Sequence, residues 1–207
     1  MEIISKINEI RNSEIKNIID SRMKEFEDLG RKDSREIFKE LCFCFMTANF
    51  SALGGIKIQK EVGDGFFYLP EDSLASKLRA LGHRFPNARA GFVVKARFLM
   101  DNIKETLNSF NGDLERRDWL VKNVKGIGMK EASHFLRNIG YKNTAIIDFH
   151  IVNLLVKEDL IERSKTLTPK KYVEIENVLR EISKESGINL GELDLYLWYI
   201  ETGKILK

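Results

Sequence analysis

The sequence predicts an all-α protein. Three observations carry that expectation. Apolar residues recur at three- and four-residue spacing almost throughout the 207-residue chain, no stretch alternates convincingly as a half-buried strand would, and only three prolines interrupt it. The length fits one domain, or two small lobes sharing one cleft. A hydrophobic fraction of 43% and thirteen phenylalanines supply the bulk for a core.

In chain order, the run Ile3, Ile7, Ile10, Ile15, Ile18, Ile19, Met23 and Phe26 predicts an N-terminal helix or helix pair. Asp33-Ser34 reads as the cap of a helix running to about Ala48. Its centre, Leu41-Cys-Phe-Cys-Phe-Met46, is apolar on every face and belongs in a core. Gly54-Gly55 and Gly63-Asp64-Gly65 punctuate the next stretch. Pro70 starts a helix that stops at Gly82, residues 83–87 form a loop, and one long helix is expected from about Asn87 to Ser109, ended by Asn111-Gly112. A short helix near 114–123 precedes a Gly-Ile-Gly turn and a helix from about Lys130 to Ile139, closed by Gly140. Thr168-Pro169 caps and starts a helix to about Lys184, and Asn189 with Glu192 resembles a capping box for a last helix, 190–202.

Bulk charge excludes little. Lys plus Arg outnumber Asp plus Glu by only 34 to 31, a net of +3, so a nucleic-acid partner must be argued from local distribution. Residues 74–100 carry six basic side chains (Lys77, Arg79, Arg84, Arg89, Lys95, Arg97) and no acidic one. Such a stretch can neutralise phosphates, or can be an ordinary solvated helical face. Cys42 and Cys44 are too few for an iron–sulfur cluster and too close for a zinc knuckle, which leaves buried, reduced thiols and an intracellular setting. No run approaches the ~20 apolar residues of a membrane span, and the first residues carry no leader pattern.

Chemistry concentrates in Val121–Gly140, VKNVKGIGMKEASHFLRNIG. Gly126 and Gly128 flank Ile127, which plugs the turn into the core. Glycine permits positive φ and leaves backbone N–H groups uncovered at the start of a helix, which is an anion site. Alone, this is either a phosphate grip or a plain helix corner. Lys130 comes at once, and eighteen residues later Ala145-Ile-Ile-Asp148 leads three apolar residues into an aspartate that opens another helix. An aspartate there is ordinarily a helix cap. Paired, the two residues allow more. A helix N-terminus disfavours an ammonium and so tends to free a lysine amine as a nucleophile, while an ionised aspartate supports positive charge on a sugar.

This hairpin–lysine–aspartate pattern resembles the helix-hairpin-helix/Gly-Pro-Asp superfamily of base-excision DNA glycosylases, and within it the second, compact type of 8-oxoguanine DNA glycosylase/AP lyase. The resemblance runs through Leu41–Asn49, Leu81-Gly-His-Arg-Phe85, Val124–Asn138, Ala145–His150, Leu193–Tyr199 and the final lysine. The run before the aspartate, Tyr141-Lys-Asn-Thr-Ala145, lacks the proline of the superfamily's name.

The resemblance implies two helical lobes with a cleft between them and no iron–sulfur cluster. The lobes would be residues 1–30 plus 141–207, and 31–140 ending in the helix-hairpin-helix at about 114–140. It implies Lys130 as Schiff-base nucleophile and Asp148 as catalytic carboxylate. His134 and Trp198 would sandwich a flipped base. Lys207 would bring the chain terminus to the base's Watson–Crick edge. Asn49, Arg84 and Phe85 would enter or wedge the duplex, while Gly126, Ile127, Gly128 and His150 would meet its backbone. The partner would be double-stranded DNA containing oxidised guanine, bound by a monomer in the cytoplasm, at the nucleoid, with no metal or organic cofactor. Two other readings stay open: a sister glycosylase for another lesion, and a non-catalytic DNA-gripping module, which would need neither Lys130 nor Asp148.

Overall fold

A computed structural model describes residues 2–164 and 166–207. Among these residues the protein is built from thirteen α-helices and one 3-10 turn, with no strand. In order, the helices are α1 (Glu2–Arg11), α2 (Ile15–Gly30), α3 (Ser34–Thr47), α4 (Ala52–Val62), α5 (Gly65–Tyr68), α6 (Glu71–Ala80) and α7 (Pro86–Ala96). After the 3-10 turn Arg97–Leu99 come α8 (Ile103–Asn108), α9 (Asp113–Asn123), α10 (Met129–Asn138), α11 (Phe149–Lys157), α12 (Pro169–Ser186) and α13 (Leu190–Thr202).

The caps do what their residue types allow. Asp33, Thr168 and Asn189 accept from the backbone N–H groups of Glu36, Lys171 and Glu192, satisfying donors that the first helical turn leaves free. The helix α3 is the core helix its composition requires: Leu41 to Met46 are fully buried. Cys42 and Cys44 are free thiols inside it, and burial pushes both well up from the ordinary thiol range.

Two expectations fail for identifiable reasons. The single helix over 87–109 is broken. Arg97 turns its guanidinium back onto the carbonyls of Phe66 and Leu69 (2.9 and 2.6 Å), a 3-10 turn intervenes, and the chain resumes as α8 with Ile103 and Leu107 buried. A straight continuation would carry those two side chains off the core. Conversely, Gly54-Gly55 does not punctuate. Both lie inside α4, where a Cβ on Gly54 would meet the Phe50 ring at 2.2 Å and one on Gly55 would meet Thr47 Cγ2 at 2.8 Å. The absence of a side chain lets α4 lie close on α3.

The buried apolar residues form two clusters. One gathers Ile37 to Ile139 from α3 through α10. The other gathers Ile3 to Phe26 with Ala145 to Leu197, from α1, α2 and α11–α13. Buried ion pairs cross between them. Arg117 on α9 meets Glu176 on α12 at 2.6 Å, and Arg137 on α10 meets Asp194 on α13 at 3.0 Å.

The end of α2 touches the end of α10 without room for a methyl group. A Cβ on Gly30 would stand 2.1 Å from the carbonyl oxygen of Ile139. Gly30→Ala should therefore cost about 2 kcal/mol through overpacking. Thermal unfolding should show a midpoint roughly 4–8 °C lower; an unchanged midpoint would contradict this close approach.

Candidate active site

The hairpin between α9 and α10 is set by two different glycines doing different things. Gly126 has φ +92°, and a Cβ there would strike the Phe92 ring at 2.4 Å, so both conformation and space demand glycine. Gly128 is extended (φ −99°), a conformation open to any residue, and caps α10 with no side-chain hydrogen bond to the first turn. Of the two glycines flanking Ile127, only Gly126 uses the positive φ that glycine permits. Ile127 is buried, as a plug should be.

Lys130 is the second residue of α10 and three-quarters buried along its side chain; Glu131 Oε1 lies 3.8 Å from its Nζ. Asp148 is the N-cap of α11. Its Oδ1 accepts from both His150 N–H (2.9 Å) and Ile151 N–H (3.0 Å), while Oδ2 has no partner among the described residues. The capping role and a role in chemistry are compatible, because one oxygen fixes the carboxylate and the other is left over.

Both helix starts open on one cavity of about 790 Å³, within the range of ligand sites. Its wall includes Asn49, Lys130, His134, Asp148, Trp198 and Lys207, with His150 beside them. His134 and Trp198 each carry a buried ring nitrogen without a hydrogen-bond partner among the described residues. Burial, aided by the charges of Arg137, Lys130 and Lys207, holds the His134 imidazole well below its ordinary pKa, so it is neutral. The His150 ring meets Trp198 edge-on at 4.7 Å.

Lys207 is anchored. Its ammonium donates to Glu40 Oε2 (2.8 Å) and Gln59 Oε1 (2.6 Å) and sits 4.2 Å from the centre of the Phe43 ring. Glu40 is buried and also accepts from Asn138 Nδ2 at 2.6 Å.

The remaining expected residues lie off the cavity wall. Arg84 and Phe85 are exposed together, with the guanidinium 5.1 Å from the ring centre. His83 anchors their loop: its Nδ1 accepts from Phe85 N–H and its Nε2 meets the Met46 carbonyl at 3.0 Å. Arg89 donates to the Ala48 carbonyl at 2.6 Å, which supports the end of α3 just before Asn49, itself in the left-handed region at φ +58°. Arg89 and Arg97 are therefore structural. Of the six basic residues in 74–100, four (Lys77, Arg79, Arg84, Lys95) remain exposed.

Sequence reasoning missed Asp194, also on the cavity wall. Its signal is a lone acid in the apolar run Leu193-Asp-Leu-Tyr-Leu. Burial pushes its carboxyl up to about 6 against the pull of Arg137, and the nearby Asp148 charge adds to the rise. Because the folded-state value lies above the ordinary 3.8, ionisation costs stability as pH rises from about 4 to 6, and the cost is complete above that. The melting-temperature difference between Asp194→Asn and the native protein should therefore grow in favour of the variant over that window and stay flat from pH 6 to 8. A difference independent of pH would contradict the raised value.

A lysine just past a glycine hairpin and an aspartate capping a neighbouring helix face one cavity of an all-helical protein, the arrangement that the resemblance to helix-hairpin-helix base-excision glycosylases implies. Comparison with known proteins narrows this. The family described as 8-oxoguanine DNA glycosylase matches residues 19–188. An 8-oxoguanine DNA glycosylase/AP lyase from Methanocaldococcus jannaschii is 55% identical with both chains fully covered, and one from Korarchaeum cryptofilum is 53% identical over all of this chain and 98% of that one. The crystal structure of the Methanocaldococcus jannaschii 8-oxoguanine glycosylase/lyase in complex with a 15mer DNA containing 8-oxoguanine superimposes with a TM-score of 0.97 at 55% identity, with full coverage of both chains. The 8-oxoguanine DNA glycosylase of Thermotoga maritima gives 0.92 at 43% identity, covering 100% of this chain and 99% of that one. The chain belongs to the 8-oxoguanine DNA glycosylase family.

Proposed function

We propose that the protein excises 8-oxoguanine from duplex DNA and then cleaves the strand at the resulting abasic site. The observation that carries this reading is the meeting of Lys130 and Asp148 on one cavity wall, each fixed by a helix start. The full-length likeness to enzymes of that name supports the choice of lesion.

A base inside a duplex is out of reach, so the nucleotide is flipped into the cavity. Its walls are the two lobes, 1–30 plus 141–207 and 31–140. Both belong to one chain, so a monomer suffices, acting on genomic DNA in the cytoplasm. The hairpin residues Gly126, Ile127 and Gly128 grip a phosphate through backbone N–H groups, and His150 approaches the same strand. Asn49 enters the vacated stack, and Arg84 with Phe85 wedges beside it, a basic-plus-aromatic pair suited to unstacking. His134 and Trp198 flank the flipped purine, and Lys207 supplies polar atoms at its Watson–Crick edge.

The amine of Lys130 then bonds to sugar C1′ as the glycosidic bond breaks and its electron pair leaves with the base. The free oxygen of Asp148 stabilises the positive charge that develops on the sugar. Transfer of the amine proton to ring oxygen O4′ as the C1′–O4′ bond breaks opens the sugar and leaves an imine between Lys130 and C1′, which acidifies the C2′ proton. Its removal expels the 3′ phosphate and cuts the strand.

Borohydride should trap a covalent protein–DNA adduct on an 8-oxoguanine duplex. Lys130→Gln should abolish that adduct, and an adduct that survives the substitution would remove Lys130 from the role. Asp148→Asn should slow single-turnover excision by about 10²–10³-fold, the scale of losing one electrostatic stabiliser. Lys207→Met should impair excision of 8-oxoguanine more than cleavage of a preformed abasic site; equal losses would place Lys207 outside base recognition.

A further inference from the structure

Residues 145–147, which lead into Asp148, are buried yet belong to no helix and pair with no strand. A buried segment of that kind must find partners for its backbone groups among side chains. It finds them on one helix. The Ala145 N–H donates to Glu176 Oε1 at 2.8 Å. The Tyr172 hydroxyl donates to the Ala145 carbonyl at 2.7 Å and accepts from the Ile147 N–H at 3.3 Å. Tyr172 and Glu176 are both buried and stand one turn apart on α12. Burial also raises the Tyr172 phenol, which keeps it a donor.

The same carboxylate reaches toward the lysine. Glu176 Oε1 accepts from Arg117 Nη1 at 2.6 Å, and that nitrogen lies 3.5 Å from Ser133 Oγ, three residues beyond Lys130 on α10. One oxygen atom therefore joins the backbone that aims Asp148 to both helices of the hairpin that aims Lys130.

We propose that Tyr172 and Glu176 are positioning residues of the excision reaction: they fix the segment before Asp148 and so set its carboxylate against Lys130. This rests on the proposed roles of Asp148 and Lys130 in excision. Neither Tyr172 nor Glu176 lines the cavity, so Tyr172 acts through the segment before Asp148, and Glu176 acts through that segment and, by way of Arg117, the hairpin. Small displacements of a reacting group are costly: about 1 Å can lose on the order of 10²-fold in rate.

Tyr172→Phe removes one oxygen and leaves the ring packed, so it tests the contact without hollowing the core. Single-turnover excision of 8-oxoguanine should fall at least about tenfold. Affinity for a duplex carrying a tetrahydrofuran abasic analogue, which cannot react, should stay within about threefold of native, since nothing that meets DNA has changed. In an Asp148→Asn background the same substitution should cost nothing further, because two residues acting through one group are not additive. The proposal is overturned if excision is unaffected, if rate and affinity fall by the same factor, or if the two losses multiply. Should Tyr172→Phe not fold, Glu176→Gln, which keeps an acceptor for Ala145 N–H and weakens the hold of Arg117, decides the matter: single-turnover excision should again fall at least about tenfold, and unaffected excision overturns the proposal. If Asp148→Asn alone leaves excision intact, the role of Asp148 falls instead, and the split between rate and affinity still reports whether the segment is braced.

Discussion

The buried ion pair of Arg117 with Glu176 is the contact on which the arrangement of the molecule turns. Both side chains are almost wholly withdrawn from water, at 4% and 3% exposure. Two charges leave water at a cost of several kcal/mol each, which only close pairing and further hydrogen bonds offset. Here the further bonds come from the backbone at Ala145, so the pair is complete only when α9, α12 and the segment before Asp148 are all in place. Hydrophobic burial within each cluster has no such demand for direction. It assembles two oily interiors; the charged pair is a directional contact between them.

That orientation creates the chemistry. Two helix starts, each ordinary in isolation, converge on one cavity. Gly128 leaves the first turn of α10 without a side-chain cap, and Asp148 caps α11 with one oxygen only. A helix start has donors to spare, and a cap is a convenient way to hold a carboxylate still. The geometry proposed for catalysis is thus made from standard helix-end devices. The ion pair of Arg137 with Asp194 adds a second link between the clusters at the same cavity. It places a further acid near Asp148; burial makes Asp194 resist ionisation despite an arginine partner, and the Asp148 charge adds to the effect.

The surface expected to meet DNA is less uniformly basic than the one-signed stretch 74–100 suggests. Arg89 and Arg97 are spent on backbone carbonyls, where a planar guanidinium with several donors can close a helix end or a turn. The proposed recognition of DNA therefore leans on exposed Arg84 and Phe85 and on the backbone of the hairpin. This is consistent with a net charge of only +3.

The sequence by itself determined the all-helical class, the caps at Asp33, Thr168 and Asn189, the core character of α3, and the hairpin with its lysine and aspartate. These are local matters: periodicity, cap chemistry and glycine spacing act within a few residues, so they are written in the order of the chain. Tertiary structure alone decided the rest. The break at Arg97 depends on carbonyls about thirty residues earlier. The role of Gly54 and Gly55 as packing faces depends on Phe50, Thr47 and Phe43. Asp194, Glu176, Tyr172 and the anchoring of Lys207 by Glu40 each join residues distant in sequence, up to 167 positions apart. Linear spacing carries no record of such pairs, because a buried polar group is satisfied by whichever partner the packing of helices brings to it.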